Sequence, residues 1–206
     1  MTNKGTNDAK RGAVFTKLAN AITIAVKSHN NPSTLIEKAQ AANMPKDKIQ
    51  RAIDRATPPF GGGDLSEAIF EGFGPQNVAI IIETITDNTT RTSQEIKNIF
   101  SKNGGVLGKT DYLFTRFGEI EVEGVNIFEK ALDAGAEDVS DSVVYTKPED
   151  LHKVTELLAK DLKIISSELV FKPNKETMIN ADIADFLEMI DNLDDVQNIY
   201  CNAVPI

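Results

Sequence analysis

Residues 57–64 read TPPFGGGD, and the fold turns on this stretch. Two prolines and three glycines with nothing periodic among them make a linker, not a helix or a strand. On its N-terminal side apolar residues recur every three or four positions, and on its C-terminal side they gather in short strand-like runs. A helical module therefore meets a strand-containing body here, and the linker should let the module swing.

Upstream, residues 8–29 (DAKRGAVFTKLANAITIAVKSH) place Phe15, Leu18, Ile22 and Val26 on one stripe. That spacing predicts a helix with Lys10 and Lys17 on roughly the opposite face. A turn with Pro32 leads to a shorter helix ending near Asn43. A third helix begins at Pro45, a residue suited to the first helical position. Ile49, Ala52, Ile53 and Ala56 face inward, while Lys48, Arg51 and Arg55 line another face.

Downstream, EAIFEGF and VAIIIETIT read as strands joined by the turn GPQN. Thr92 and Glu95 have capping-box spacing and predict a helix through about Lys102, ended by Asn103-Gly104-Gly105. YLFTRF and GEIEVEG read as two strands, IFEKALDAGA as a helix, DVSDSVVYT as a paired or irregular region, PEDLHKVTELLAKD as a helix and KIISSELVF as a strand. That order suits a ferredoxin-like sandwich. DIADFLEMIDNL and DVQNIYC, a helix and a strand, are too small to fold alone and should pack back on the sheet of 65–117. The expected fold is multidomain α+β: a basic helical domain with its linker over 1–60, a middle α+β domain from 61–117 plus 177–206, and an inserted ferredoxin-like domain over 118–176.

Charge follows the same division. Residues 1–57 hold ten Lys and Arg against four Asp and Glu, a balance of +6, and the other 149 residues hold twelve against twenty-seven, a balance of −15. A basic module on an acidic body points to polyanion binding at one end. A set of solvated helix faces is the plainer reading. One cysteine, Cys201, excludes an internal disulfide and suits a cytoplasmic place. The start is polar, not a secretory signal, and no apolar run reaches membrane-spanning length.

Catalytic signatures are thin. NGGVLGKT, residues 103–110, imitates a phosphate loop, but only three residues separate Gly104 from Gly108, where four are needed. The segment also follows a predicted helix, whereas a phosphate loop precedes one. It reads as a helix-to-strand turn. His29 and His152 have no metal-ligand spacing to each other or to Cys201. Asp194-Asp195 reads as a turn. No catalytic residue, metal, cofactor or small-molecule substrate is expected. The candidate site is a nucleic-acid surface of Lys10, Arg11, Lys17, Lys48, Arg51 and Arg55, contacting phosphates. The only aromatic in residues 1–57 is Phe15, on the core stripe, so backbone or shape recognition is expected over base stacking.

DAKRGAVFTKL, ANMPKDKIQRAI, EGFGPQNVAIIIETITDNTTRT, FSKNGGVLG and DDVQNIYCN, in this order from residue 8 to 202, resemble the YebC family, which includes the mitochondrial translational activator of cytochrome c oxidase. The resemblance implies a helical N-terminal domain and two α+β domains, one inserted in the other. It implies no enzyme activity and no cofactor. Bacterial members are commonly described as DNA-binding transcriptional regulators. The organellar branch, and increasingly the bacterial one, is associated with translation on the ribosome. Members usually open with a basic, Trp-containing leader (G-H-S-K-W-x-x-I-K-H-K). Here MTNKGTN precedes Asp8 and the chain has no tryptophan, so no role of that leader is carried over. The expected function is a non-enzymatic, nucleic-acid-binding regulator of gene expression on duplex DNA. A translation factor on ribosomal RNA and an acidic protein-interaction scaffold are the alternatives.

Overall fold

A computed structural model describes the backbone of residues 3–57, 65–179 and 183–205, and the side chains of these except 3–10 and 205. Most of the linker, 58–64, and the Lys10 side chain lie outside the described residues. The chain divides into two compact units, Met1–Thr110 with Glu176–Ile206, and Asp111–Lys175.

The first unit opens with three helices, α1 (Asn3–Lys27), α2 (Ser33–Ala41) and α3 (Lys46–Arg55). Their shared core is Ile22, Ala39, Met44, Ile49 and Ala52, with Leu18, Val26 and Ile53 packed around it. Helix α1 begins five residues before the apolar stripe predicts, because polar residues extend a helix without contributing to its period. Thr23, 3% exposed, ties α1 to α3: its hydroxyl donates to the Ala52 carbonyl at 2.8 Å.

The same unit continues as a four-stranded sheet. Its strands are β1 (Ser66–Phe73), β2 (Ala79–Thr86), the two-residue β3 (Val106–Leu107) and, from the C-terminal segment, β9 (Val196–Cys201), in the order β3-β1-β2-β9. The β1–β2 turn places Gln76 and Asn77 at φ 56° and 63°, and Gly74 N–H donates to the Val78 carbonyl across it. Strand β2, AIIIETIT, is buried on both faces, which its run of β-branched residues suits. Helices α4 (Thr89–Lys102) and α7 (Ala184–Asp191) cover one face, where Phe100 meets Phe186 edge-on at 5.2 Å. Helix α1 lies against β2 as well. A small parallel pair, β8 (Thr177–Ile179) with β10 (Ala203–Pro205), completes the unit.

Asn88, not Thr92, caps α4: its side chain accepts from Arg91 N–H at 3.0 Å. The capping-box reading fails because Thr92 sits one turn inside the helix, fully buried.

The second unit runs β4 (Phe114–Glu123), α5 (Ile127–Ala134), β5 (Asp138–Ser140), β6 (Val143–Thr146), α6 (Leu151–Leu158) and β7 (Lys163–Pro173). The sheet order is β5-β6-β4-β7 with every pair antiparallel. Both helices cover one face, over Ile120, Val122, Val144, Val154 and Leu158. The two strands expected at 112–124 are one, since Gly118 pairs within β4 on both sides instead of breaking it. The expected boundary at 118 thus falls inside a strand, and the compact unit opens at Asp111.

Gly118 is required by space. A Cβ there would meet the Thr146 hydroxyl and come within 2.9 Å of the Leu151 side chain. Gly118→Ala is expected to destabilise this unit by about 1–3 kcal/mol, the usual cost of overpacking a core. A urea titration followed by hydrogen exchange of β4 and β6 checks it, and an unchanged midpoint would show that Leu151 yields freely.

Candidate nucleic-acid interface

Helices α1 and α3 enclose a groove of about 300 Å3. Gly12, Phe15, Thr16, Ala19 and Asn20 form the α1 wall, and Lys48, Arg51, Ala52 and Arg55 the α3 wall. The spacing of the three cations along α3 sets them on one side of the helix while Ile49 and Ala52 turn into the core. Lys48 and Arg51 are exposed and Arg55 is half-buried. Arg51 pairs with Asp47 at 3.4 Å, but both side chains are well exposed, at 79% and 62%, so the pair holds the guanidinium weakly.

Phe15 departs from expectation. It packs beside the helical core, yet its ring also lines the groove, with Lys48 Nζ 5.3 Å and the Arg11 guanidinium carbon 5.9 Å from its centroid. Cations over an aromatic face are held in place while their outer edges stay in water. The groove therefore carries Lys48, Arg51 and Arg55 on one wall, and Arg11 and Lys48 lie over the Phe15 ring on the other.

Lys17 is set apart from this group. Its ammonium lies 2.6 Å from Asp191 Oδ1 and 2.7 Å from the Asp191 carbonyl, and its side chain is only 17% exposed. A cation so paired is largely neutralised and joins α1 to the end of α7. It is a structural tie between α1 and α7, engaged apart from the groove cations Lys48, Arg51 and Arg55.

Beside the groove lies a polar cleft of about 440 Å3, reached by Thr16, Asn20 and Arg55 from α1 and α3, by Asp87 just after β2, by Arg91 of α4 and by Asp195 just before β9. Asp195 sits in the expected turn, before β9, but is only 9% exposed. Its Oδ2 accepts from Thr92 Oγ1 at 2.6 Å and from Arg91 at 2.7 Å, and Thr92 Oγ1 lies 2.8 Å from Thr86 Oγ1. Burial pushes the Asp195 pKa up, but hydrogen bonds from Thr92, Arg91 and Thr86 and the Arg91 charge outweigh it and hold the carboxyl below its usual value. Arg91 is correspondingly raised, first by its hydrogen bond to Asp195. No local sequence signal links residues 86, 92 and 195.

The pH consequence has a definite sign. A carboxyl depressed in the folded state contributes stability above its unfolded pKa and loses it as pH falls through the folded value. Asp195→Asn is expected to cost about 1.5–3 kcal/mol at neutral pH, the range for hydrogen bonds to a charged group. The gap from wild type should close on acidification through the carboxylate range. Urea midpoints measured down that range check this, and a gap independent of pH would show that the carboxylate charge contributes nothing.

The 103–110 loop is occupied by its own chain. Gly108 N–H donates to the Glu71 carbonyl at 3.0 Å and Thr110 N–H to the Glu71 carboxylate at 2.7 Å. The Thr110 hydroxyl is buried and donates to the Ile80 carbonyl. Two of the loop's N–H groups are thus already bonded to Glu71 of the same chain. Among the described residues, no group of three or more His, Cys, Asp and Glu is placed to hold a metal ion, and no helix is long and apolar enough to cross a membrane. His152 is 88% exposed and lies 3.5 Å from Glu156.

Residues 1–58 match the TACO1/YebC protein N-terminal domain, and residues 65–203 match the TACO1/YebC second and third domain. The chain belongs to the TACO1/YebC family. A "Probable transcriptional regulatory protein" of Acidithiobacillus ferrooxidans is 42% identical over 222 residues, covering 97% of this chain and 89% of that protein. A relative of the same description from Treponema denticola is 42% identical over 223 residues, covering 97% and 90%. Among solved structures, a conserved hypothetical protein of Aquifex aeolicus, Aq1575, superposes with a TM-score of 0.81 at 36% identity, covering 97% of this chain and 92% of that one. TACO1/YebC membership places the chain among non-enzymatic proteins.

Proposed function

We propose that this TACO1/YebC protein is a regulator of gene expression that binds nucleic acid through residues 1–57. The observation that carries the reading is the row of Lys48, Arg51 and Arg55 on one groove wall, with Arg11 over the Phe15 ring of the other, in a chain whose remainder is acidic. Guanidinium and ammonium groups in a row bridge successive phosphates, and the acidic body keeps the polyanion at that end. The relatives' shared description as transcriptional regulatory proteins supports duplex DNA as the partner.

One observation favours ribosomal RNA as a second reading. The only amide side chain on α3, Gln50, donates to Asp54 at 2.9 Å and so is engaged along its own helix. The groove then offers phosphate contacts and an aromatic ring instead of a base-reading helix, which suits a folded RNA. The strand order and βαββαβ connectivity of residues 111–175 support a ferredoxin-like sandwich inserted into the middle domain. The lone cysteine supports a cytoplasmic place.

Sedimentation with ribosomes and gel shifts on duplex DNA, run at matched salt, test the reading. Binding to duplex alone supports the transcriptional assignment, and co-sedimentation alone the translational one. Binding to neither would leave an acidic scaffold with a solvated basic end.

A further inference from the structure

Helix α5 presents an apolar strip that its own unit does not use. Ile127, Ala131 and Ala134 pack inward on the core. Phe128 and Leu132, one turn apart, are each 64% exposed, and Val125, just before the helix, is 73% exposed. Exposed apolar side chains are ordinary when scattered, whereas several on one helix face mark an interaction surface.

The surroundings of the strip are acidic. Glu129 and Asp133, also one turn apart, are exposed on the same helix. The one cation of α5, Lys130, is half-buried and donates to the Asp161 carbonyl at 3.2 Å, away from any incoming partner. Residues 111–175 as a whole hold fourteen Asp and Glu against eight Lys and Arg. Nucleic acid and anionic lipid are repelled by such a rim. A second copy, docked strip to strip, would bring Glu129 and Asp133 against their own counterparts. The complementary occupant is polypeptide that is apolar along one stripe and basic beside it.

We propose that the exposed strip Val125–Phe128–Leu132, edged by Glu129 and Asp133, docks a basic amphipathic helix of a partner protein. Apolar side chains of that helix would cover Phe128 and Leu132, and its Lys or Arg side chains would reach the two carboxylates. The inference is independent of the groove between α1 and α3.

Fluorescence anisotropy with a labelled amphipathic peptide of leucine and lysine, against a scrambled peptide of identical composition, tests it on the full chain. The amphipathic peptide should bind the more tightly. Phe128→Ser with Leu132→Ser should weaken it about tenfold or more, as expected for central contacts of an interface. These side chains are exposed, so the fold should persist, which circular dichroism verifies. Glu129→Lys with Asp133→Lys should weaken binding and flatten its salt dependence. The same charge change at Glu149 and Glu156, exposed elsewhere in the unit, should do neither. Equal binding of the two peptides, or equal loss from the Glu149 and Glu156 changes, would reduce the attraction to diffuse charge and overturn the proposal. A wild-type dimer in analytical ultracentrifugation that the Phe128 and Leu132 changes abolish would also overturn it, by assigning the strip to a second copy.

Discussion

Reversing Lys48 and Arg51 to Glu, with Arg55→Gln, is expected to weaken binding of the chain to duplex DNA or structured RNA roughly a hundredfold. The loss should be nearly even across sequences, because phosphate contacts position a nucleic acid without reading its bases. It should also flatten the salt dependence. Each lost phosphate contact removes about 0.7–0.9 from the log–log slope, so three together should remove about 2–3. Arg55 is changed to Gln because it is half-buried, and an added carboxylate there would threaten the helices themselves. Ile49 and Ala52 carry the core and are untouched.

Two comparisons make that result specific to the groove. Lys17→Ala removes a cation from the same helical module, but one already spent on Asp191. Its affinity and salt slope should stay near those of wild type. Lys153→Glu with Lys160→Glu changes exposed charges in the acidic unit and should do little. If Lys17→Ala weakened binding as much as the groove changes, net charge and not groove geometry would govern affinity. A triple variant with undiminished affinity and slope would leave the basic module a solvated surface.

Periodicity made the elements legible and left their partners hidden. The three helices, the β1–β2 hairpin, α5, α6, β7, α7 and β9 all follow from apolar spacing and turn residues, since those signals are local. Gly118 misled because glycine reads as a break, whereas here it is a strand residue chosen for the close approach of Leu151 and Thr146. Thr92 misled for a different reason. A buried threonine hydroxyl and a capping one look alike in sequence, and only the distant Asp195 tells them apart. The candidate site divides in the same way. Lys48, Arg51 and Arg55 share a helix face, and helical spacing alone assembles them. Lys17 has the same chemistry, but its role is set by Asp191, 174 residues away. The Phe15 ring could be placed on a stripe from sequence, but not at the stripe's edge beneath two cations.

A chain ending after Glu176 is expected to lose the β1–β2 sheet while residues 111–175 stay folded. Strand β9 pairs with β2 from Ile80 to Thr84, and Asn202 Oδ1 accepts from Ala79 N–H beside it. Ile183, Phe186, Ile190 and Val196 supply much of the cover over Ile80, Ile82 and Phe100. At about 1.5–3 kcal/mol for each buried apolar side chain, their removal costs on the order of 6–12 kcal/mol. A whole domain is usually stable by only about 5–15 kcal/mol. The loss of Asp195 adds to this by leaving Arg91 and Thr92 without their shared acceptor. The core of residues 111–175 draws on none of the deleted residues. The helical core around Ile22 and Ile49 contains none of the deleted residues, although α1 loses the Lys17 tie and its support on β2. Hydrogen exchange should therefore show β2 amides unprotected, β4 and β7 amides as in the full chain, and α1–α3 weakened at most slightly. Protection of β2 that survived the truncation would mean that α4 and the helical module alone hold the sheet, and that the C-terminal segment is an attachment to a domain already complete.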